Sequence, residues 1–149
     1  MFSETELRLL EVAYNAFFPK RHVFDVLSNP EWKKLGIEHW VQTELIIALI
    51  DAKIKVSIKD KQKKNCDLII WNGEKEEILL ELKGPTDPSN FLKDIEKGLK
   101  GCKLVLILGR VNDKILTELP KNIEKQNCIE DHKMVSPNWA LMIIKKKLV

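Results

Sequence analysis

Two carboxylates and one ammonium carry the chemistry that this sequence offers. Asp67 heads an apolar run, Asn65-Cys66-Asp67-Leu68-Ile69-Ile70-Trp71, and Glu81 and Lys83 close a second, Glu77-Ile78-Leu79-Leu80-Glu81-Leu82-Lys83. Residues two apart on a strand share a face, so Glu81 and Lys83 project together while Ile78, Leu80 and Leu82 project the other way. The turn decides whether Asp67 joins them. Pairing Asp67 with Glu81 also pairs Trp71 with Glu77 and leaves Gly73, Glu74 and Lys75 as a three-residue loop. Taking Asn72-Gly73 as a two-residue turn sets Asp67 opposite Ile78 instead and sends the two acids to opposite faces. The longer loop is favoured because it aligns Leu68 and Ile70 with Leu80 and Ile78 on one apolar face. Opposed β-carbons lie about 5 Å apart, so two carboxylates there can reach one cation.

These strands need neighbours to hold them. Glu38 to Ile50 has the spacing of a helix, with Glu44 on its apolar flank: Trp40 and Val41 lie one turn before it, Ile47 and Ala48 one turn after. A buried glutamate without a partner is costly, so Glu44 either snorkels to a lysine or faces a site that uses it. Lys53 to Ile58 alternates like a half-exposed strand. Asp87-Pro88 reads as the capped start of a further helix, with Phe91, Ile95 and Leu99 on its core face and Gly98 and Gly101 as stops. Lys103 to Gly109 is continuously apolar, the mark of a strand covered on both faces, and the helix before it is the crossover that parallel pairing requires.

Towards the ends the pattern is less regular. Ser3 and Glu6 form a capping box ahead of Leu9, Leu10, Ala13, Ala16 and Phe17, a packing helix that stops near Phe18-Pro19. Lys20 to Leu35 is irregular, with a short helix expected at Glu31 to Leu35. Val111 to Leu119 reads as a helix ended by Pro120, Lys121 to Asn138 as polar and irregular, and Trp139 to Ile144 as a last strand.

The chain of 149 residues is 44% hydrophobic and 32% charged, which fits one globular domain spanning 1–149 with a core of its own. Three scattered cysteines, Cys66, Cys102 and Cys128, make no metal-type spacing and suggest reduced thiols. The first residues lack a basic start followed by an apolar stretch, and no apolar run approaches about 20 residues. A soluble, cytoplasmic protein without membrane contact is expected. The net charge of +3 is unevenly spread: between Lys53 and Lys64 six lysines face one acid, Asp60. Lys59, Lys61, Lys63 and Lys64 are either a solvated loop or phosphate contacts feeding Asp67. Lys145-Lys146-Lys147 is a second cluster, either a frayed, solvated tail or further phosphate contacts, and Lys20-Arg21-His22 is a small basic spot.

An acid-headed strand, then a strand ending Glu81-Leu82-Lys83, with Glu44 on a preceding helix, resembles the PD-(D/E)XK nuclease superfamily over roughly Glu38 to Gly109. Other acid-x-lysine pairs occur in the chain, but Glu81/Lys83 alone lies in an apolar strand preceded by an acid-headed one. Cys66 stands where the family has proline and removes no metal ligand. The resemblance implies an α/β fold with a restriction-endonuclease-like core, a mixed central sheet flanked by helices in the order αβββαβ, extended at both ends. It implies a magnesium-dependent nuclease, with manganese as a substitute, acting on nucleic acid, DNA being favoured over RNA. Asp67 and Glu81 would hold the cation beside the Leu82 backbone carbonyl, with Glu44 completing the set through a water. Lys83 would orient and help deprotonate the attacking water. A homodimer is expected if both strands of a duplex are cut. Two other readings stay open: a non-catalytic module binding nucleic acid or protein on the same fold, and a structural protein with Glu81 and Lys83 as edge charges. No Gly-rich phosphate loop, nucleophile elbow or paired Cys/His zinc pattern competes.

Overall fold

The capping box starts α1 (Glu4–Phe17): the Ser3 side chain accepts from the Glu6 N–H, and the Glu6 carboxylate accepts from the Ser3 N–H. One stripe of α1, Leu9, Leu10, Ala13 and Phe17, is buried. Phe18–Lys20 tightens into a 3-10 turn with Pro19 near its start, and α2 (Arg21–Leu27) follows directly. This helix falls where the sequence reads as irregular. It is too short for a periodic signal, and buried Phe24 anchors it, packing on Phe17, Trp40 and Trp139 at ring centroid distances of 5.8, 6.0 and 5.6 Å.

The computed structural model describes residues 1–27, 29, 31, 37–58, 68–72, 75–86, 90–100 and 104–147. The remaining elements are α3 (Ile37–Asp51), β1 (Val56–Ile58), β2 (Leu68–Asn72), β3 (Lys75–Thr86), α4 (Phe91–Leu99), β4 (Leu104–Arg110), α5 (Asp113–Lys125), β5 (Cys128–Ser136) and β6 (Trp139–Lys146). The six strands form one sheet in the order β1-β2-β3-β4-β6-β5. Only β3 and β4 pair in parallel; every other neighbouring pair is antiparallel. The fold is thus mixed α/β. Residues 32–36 and 87–89 carry most of the expected short helix and the Asp87-Pro88 cap, and lie outside the described residues.

Strand β4 shows how the layers are made. Its residues alternate between two buried clusters: Leu104, Leu106 and Leu108 join α1 and α3, while Val105 and Ile107 join Ile95 and Leu99 of α4 and Leu119 and Ile123 of α5. A strand sandwiched this way is apolar throughout, which is why its sequence reads so plainly. Among the described residues no helix is long and apolar enough to cross a membrane.

Four expectations need correction. Pro120 does not end α5, which continues to Lys125. The buried positions of that helix are Leu119 and Ile123, so Pro120 faces solvent, where water can satisfy the carbonyl its missing N–H would have bonded. Gly98 likewise lies inside α4. The stretch read as irregular after Lys121 holds the end of α5 and all of β5. As a sheet edge β5 buries Cys128 and Val135 but leaves His132 and Lys133 exposed, so its composition imitates a loop. Lys145 and Lys146 belong to β6 rather than to a tail. Lys145 Nζ donates to Glu6 Oε1 at 2.7 Å and lies 5.3 Å from the Phe2 ring centroid.

Candidate functional site

The β2–β3 hairpin is the part of the fold on which the candidate chemistry depends. Its register is Leu68↔Leu80, Ile69↔Leu79 and Ile70↔Ile78. That is the alignment favoured from the apolar residues, yet the expected loop is not what produces it. Trp71 pairs with Glu76, not Glu77, and Asn72 pairs with Lys75, so two residues separate the strands and Glu77 is the extra residue of a bulge. A shorter turn and a one-residue bulge together restore the pairing that a three-residue loop alone would give. Buried Leu68 and Ile70 demand this register, since a one-residue slip would carry them to the wrong face. Strand β1 pins the turn end: the Trp71 N–H donates to the Lys55 carbonyl, the Trp71 indole donates to Ser57 Oγ at 2.9 Å, and Lys55 lies over the indole at 5.2 Å.

Beyond the hairpin, β3 runs on against β4. Glu81 pairs with Val105, Leu82 with Leu106 and Lys83 with Ile107; the register then shifts before Thr86↔Gly109. This irregularity spans Gly84 and Pro85, and proline has no N–H to give the ladder. Among the described residues no β2 residue pairs with β3 past Leu80, so the backbone of residues 81–86 has a described strand partner on its β4 side only. Asp67, which precedes β2, and Lys59, Lys61, Lys63 and Lys64 lie outside the described residues.

Glu44 sits on α3 between buried Val41 and Leu45, and Lys20 of the 3-10 turn donates to its carboxylate. Its side chain is 21% exposed and that of Lys20 45%. The sequence weighed a lysine partner for Glu44 without naming one, since Lys20 is 24 residues distant and no spacing rule links them. Helix α3 covers the face to which Leu104 and Leu106 belong, whereas Val105 and Ile107, the register partners of Glu81 and Lys83, belong to the other cluster. A shared ion would therefore have to be reached around the end of the sheet, not across one face.

That end can be located through the pairing. Thr86 lies beside Gly109, the next residue Arg110 pairs with Trp139, and the Trp139 indole donates to Asp25 Oδ1 of α2 at 2.8 Å. Lys20 and Arg21, which lead into α2, are thereby drawn to the end of the sheet where β3 finishes. Lys145, opposite in register to Ile129 and one residue beyond the Val105↔Ile144 pair, stands at the other end. Sequence spacing could not separate the two basic spots; the sheet does.

Among the described residues no three of histidine, cysteine, aspartate and glutamate gather closely enough to hold a metal. Cys128 is a free, buried thiol, and burial pushes its pKa up while neighbouring Lys146 works in the opposite direction. A neutral buried thiol is packing, not a nucleophile. Comparison with protein-family models, with curated proteins and with solved structures finds no match to this chain.

Proposed function

We propose that the protein is a metal-dependent nuclease built on a restriction-endonuclease-like core, with Asp67, Glu81 and Lys83 as its centre. The observation that carries the reading is the Leu68↔Leu80 register. Asp67 lies outside the described residues; a ladder continued one step past Leu68↔Leu80 would put it level with Glu81, the arrangement in which two carboxylates could meet one cation. The order α3, β1, β2, β3, α4, β4, with an antiparallel meander and then a parallel crossover strand, supports the same reading.

The donor set would suit a hard cation: two carboxylates and a main-chain carbonyl, that of Leu82. Magnesium held there would supply Lewis-acid stabilisation of charge on the phosphate and a more acidic bound water. Lys83, two residues after Glu81 on the strand, would hold the attacking water by hydrogen bonding and take part in moving its proton. Glu44, released from Lys20 or sharing it, would orient a further water. DNA is the favoured substrate over RNA, and cutting a duplex through both strands would call for two copies.

One observation favours the second reading, a non-catalytic binding module on the same fold. The Lys20 ammonium already engages the Glu44 carboxylate, which is how an acid with no metal to serve would be kept. Incubating the protein with labelled DNA and RNA, single-stranded and duplex, in magnesium, manganese or chelator separates the two. The nuclease requires cleavage that chelator stops, that Glu81→Ala abolishes together with metal binding, and that Lys83→Ala reduces while metal binding persists. Binding without cleavage under every condition would leave the module.

A further inference from the structure

A second feature lies outside these residues, on the outer flank of α1. Lys133 Nζ of β5 sits 5.3 Å from the centroid of Tyr14. Tyr14 stacks on Phe18 with centroids 5.3 Å apart and ring planes 29° apart, and the Arg21 guanidinium lies over Phe18 at 4.3 Å. The result is a ladder of cation, ring, ring, cation drawn from four elements: β5, α1, the 3-10 turn and α2. It does not belong to the core: the buried stripe of α1 is Leu9, Leu10, Ala13 and Phe17, whereas Phe18 is 39% exposed and Arg21 and Lys133 are exposed.

Capping an aromatic face with a cation at an exposed site is a modest return for displaying a phenylalanine. The charges are also uncompensated. Lys20 has Glu44, Lys145 has Glu6, and His132 lies against Glu130, but among the described residues neither Arg21 nor Lys133 is in an ion pair. Arg21 Nη1 donates to the Phe18 carbonyl at 2.8 Å, which holds the guanidinium over the ring; Arg21 is exposed, and among the described residues its other N–H groups make no side-chain hydrogen bond. A planar cation with an open face accepts a stacked base, and its remaining donors suit phosphate oxygens.

We propose that this ladder is a contact surface for single-stranded nucleic acid, in which a base stacks on the Arg21–Phe18–Tyr14 column and Arg21 and Lys133 take backbone phosphates. A single strand is specified because base faces are covered in a duplex, which could meet the cations but would have no use for the rings. Arg21 follows Lys20, which donates to Glu44, so the ladder adjoins one residue of the proposed centre. The inference rests on the nucleic-acid reading of that centre.

The test is binding in the presence of chelator, where cleavage cannot intervene. Fluorescence anisotropy of a short labelled oligothymidylate should show Phe18→Ala weakening affinity about tenfold, because the ring holds the Arg21 guanidinium on which the base stacks. Phe18→Leu keeps the apolar bulk without the π face and should weaken it as much, which guards against a folding effect. Arg21→Gln and Lys133→Gln should each reduce the slope of log affinity against log salt by about 0.7. Tyr14 is the one tyrosine in the chain, so isotope-labelled tyrosine gives a single ring signal that should move as the oligonucleotide is added. Unchanged affinity in Phe18→Leu and Arg21→Gln, a stationary Tyr14 signal, or equal competition by polyglutamate would overturn the proposal. Each of these leaves the magnesium-dependent cleavage and its Glu81→Ala control untouched, whereas binding that depends on Phe18 without cleavage under any condition removes the nuclease and keeps the ladder.

Discussion

Glu6 and Glu44 both project from helices that cover the same face of the sheet, and each meets a lysine from another element. The Glu6–Lys145 pair joins the start of α1 to the end of β6, with both side chains nearly out of solvent at 11% and 13% exposure. Glu6 also accepts the Ser3 N–H at 2.7 Å, so its carboxylate has two donors and a fixed position. The Glu44–Lys20 pair joins α3 to a 3-10 turn at the other end, where both partners are wetter and Glu44 has one described donor, Lys20. Meeting a lysine does not separate a structural acid from a functional one. Burial and the number of donors do, because a buried carboxylate held by two donors is costly to turn to a ligand, while one held by a single half-exposed ammonium is less so.

The largest expected effect breaks the buried pair. Glu6→Ala removes a cap and strands the Lys145 ammonium, and should lower unfolding free energy by about 3 kcal/mol in urea melts. Adding Lys145→Met should recover part of that loss; a double variant as unstable as the sum of the singles would show the two groups to be uncoupled. Binding of nucleic acid by the refolded single variant should match the parent.

Glu44→Gln should behave in the opposite manner. Stability should change by less than about 0.5 kcal/mol, since the pair is half-exposed, while magnesium-dependent cleavage should fall about tenfold, the usual cost of losing a group that orients a metal-bound water. Normal cleavage in this variant would make Glu44 as structural as Glu6. A smaller effect is expected from salt alone. Raising sodium chloride to high concentration should dissolve the Lys20–Glu44 contact and spare the buried one, so Lys20→Gln and the parent should converge in stability as salt rises. Melting curves at several salt concentrations check this.

The smallest effect concerns Cys128. Its pKa is raised by burial, so folding favours the neutral thiol; that contribution is complete below the thiol's unfolded pKa and is lost as pH rises through the folded one. Stability should therefore decline slightly into the alkaline range in the parent and less in Cys128→Ala, after the constant cost of the lost side chain is subtracted. Parallel declines would assign the alkaline loss to other groups.

The reach of the sequence varies in the same physical way from element to element. The capping box at Ser3 and Glu6, the flank position of Glu44 and the all-apolar β4 were readable because each depends on neighbours within a turn, or on burial on both faces. The hairpin register from Leu68 to Ile70 was also readable, through Leu68 and Ile70 facing one core, although the turn that closes it was not. A bulge at Glu77 compensates a shorter loop, and nothing in the local residues announces that two irregularities will cancel. Strand β5 was lost because an edge tolerates Glu130, Asp131, His132 and Lys133, and Pro120 misled because it faces water. Spacing along the chain carries what hydrogen bonds and side chains do within a few residues. Which lysine reaches which glutamate, at which end of the sheet, and that Lys133, Tyr14, Phe18 and Arg21 stand in one column, are matters of pairing between distant segments, and only the folded chain decides them.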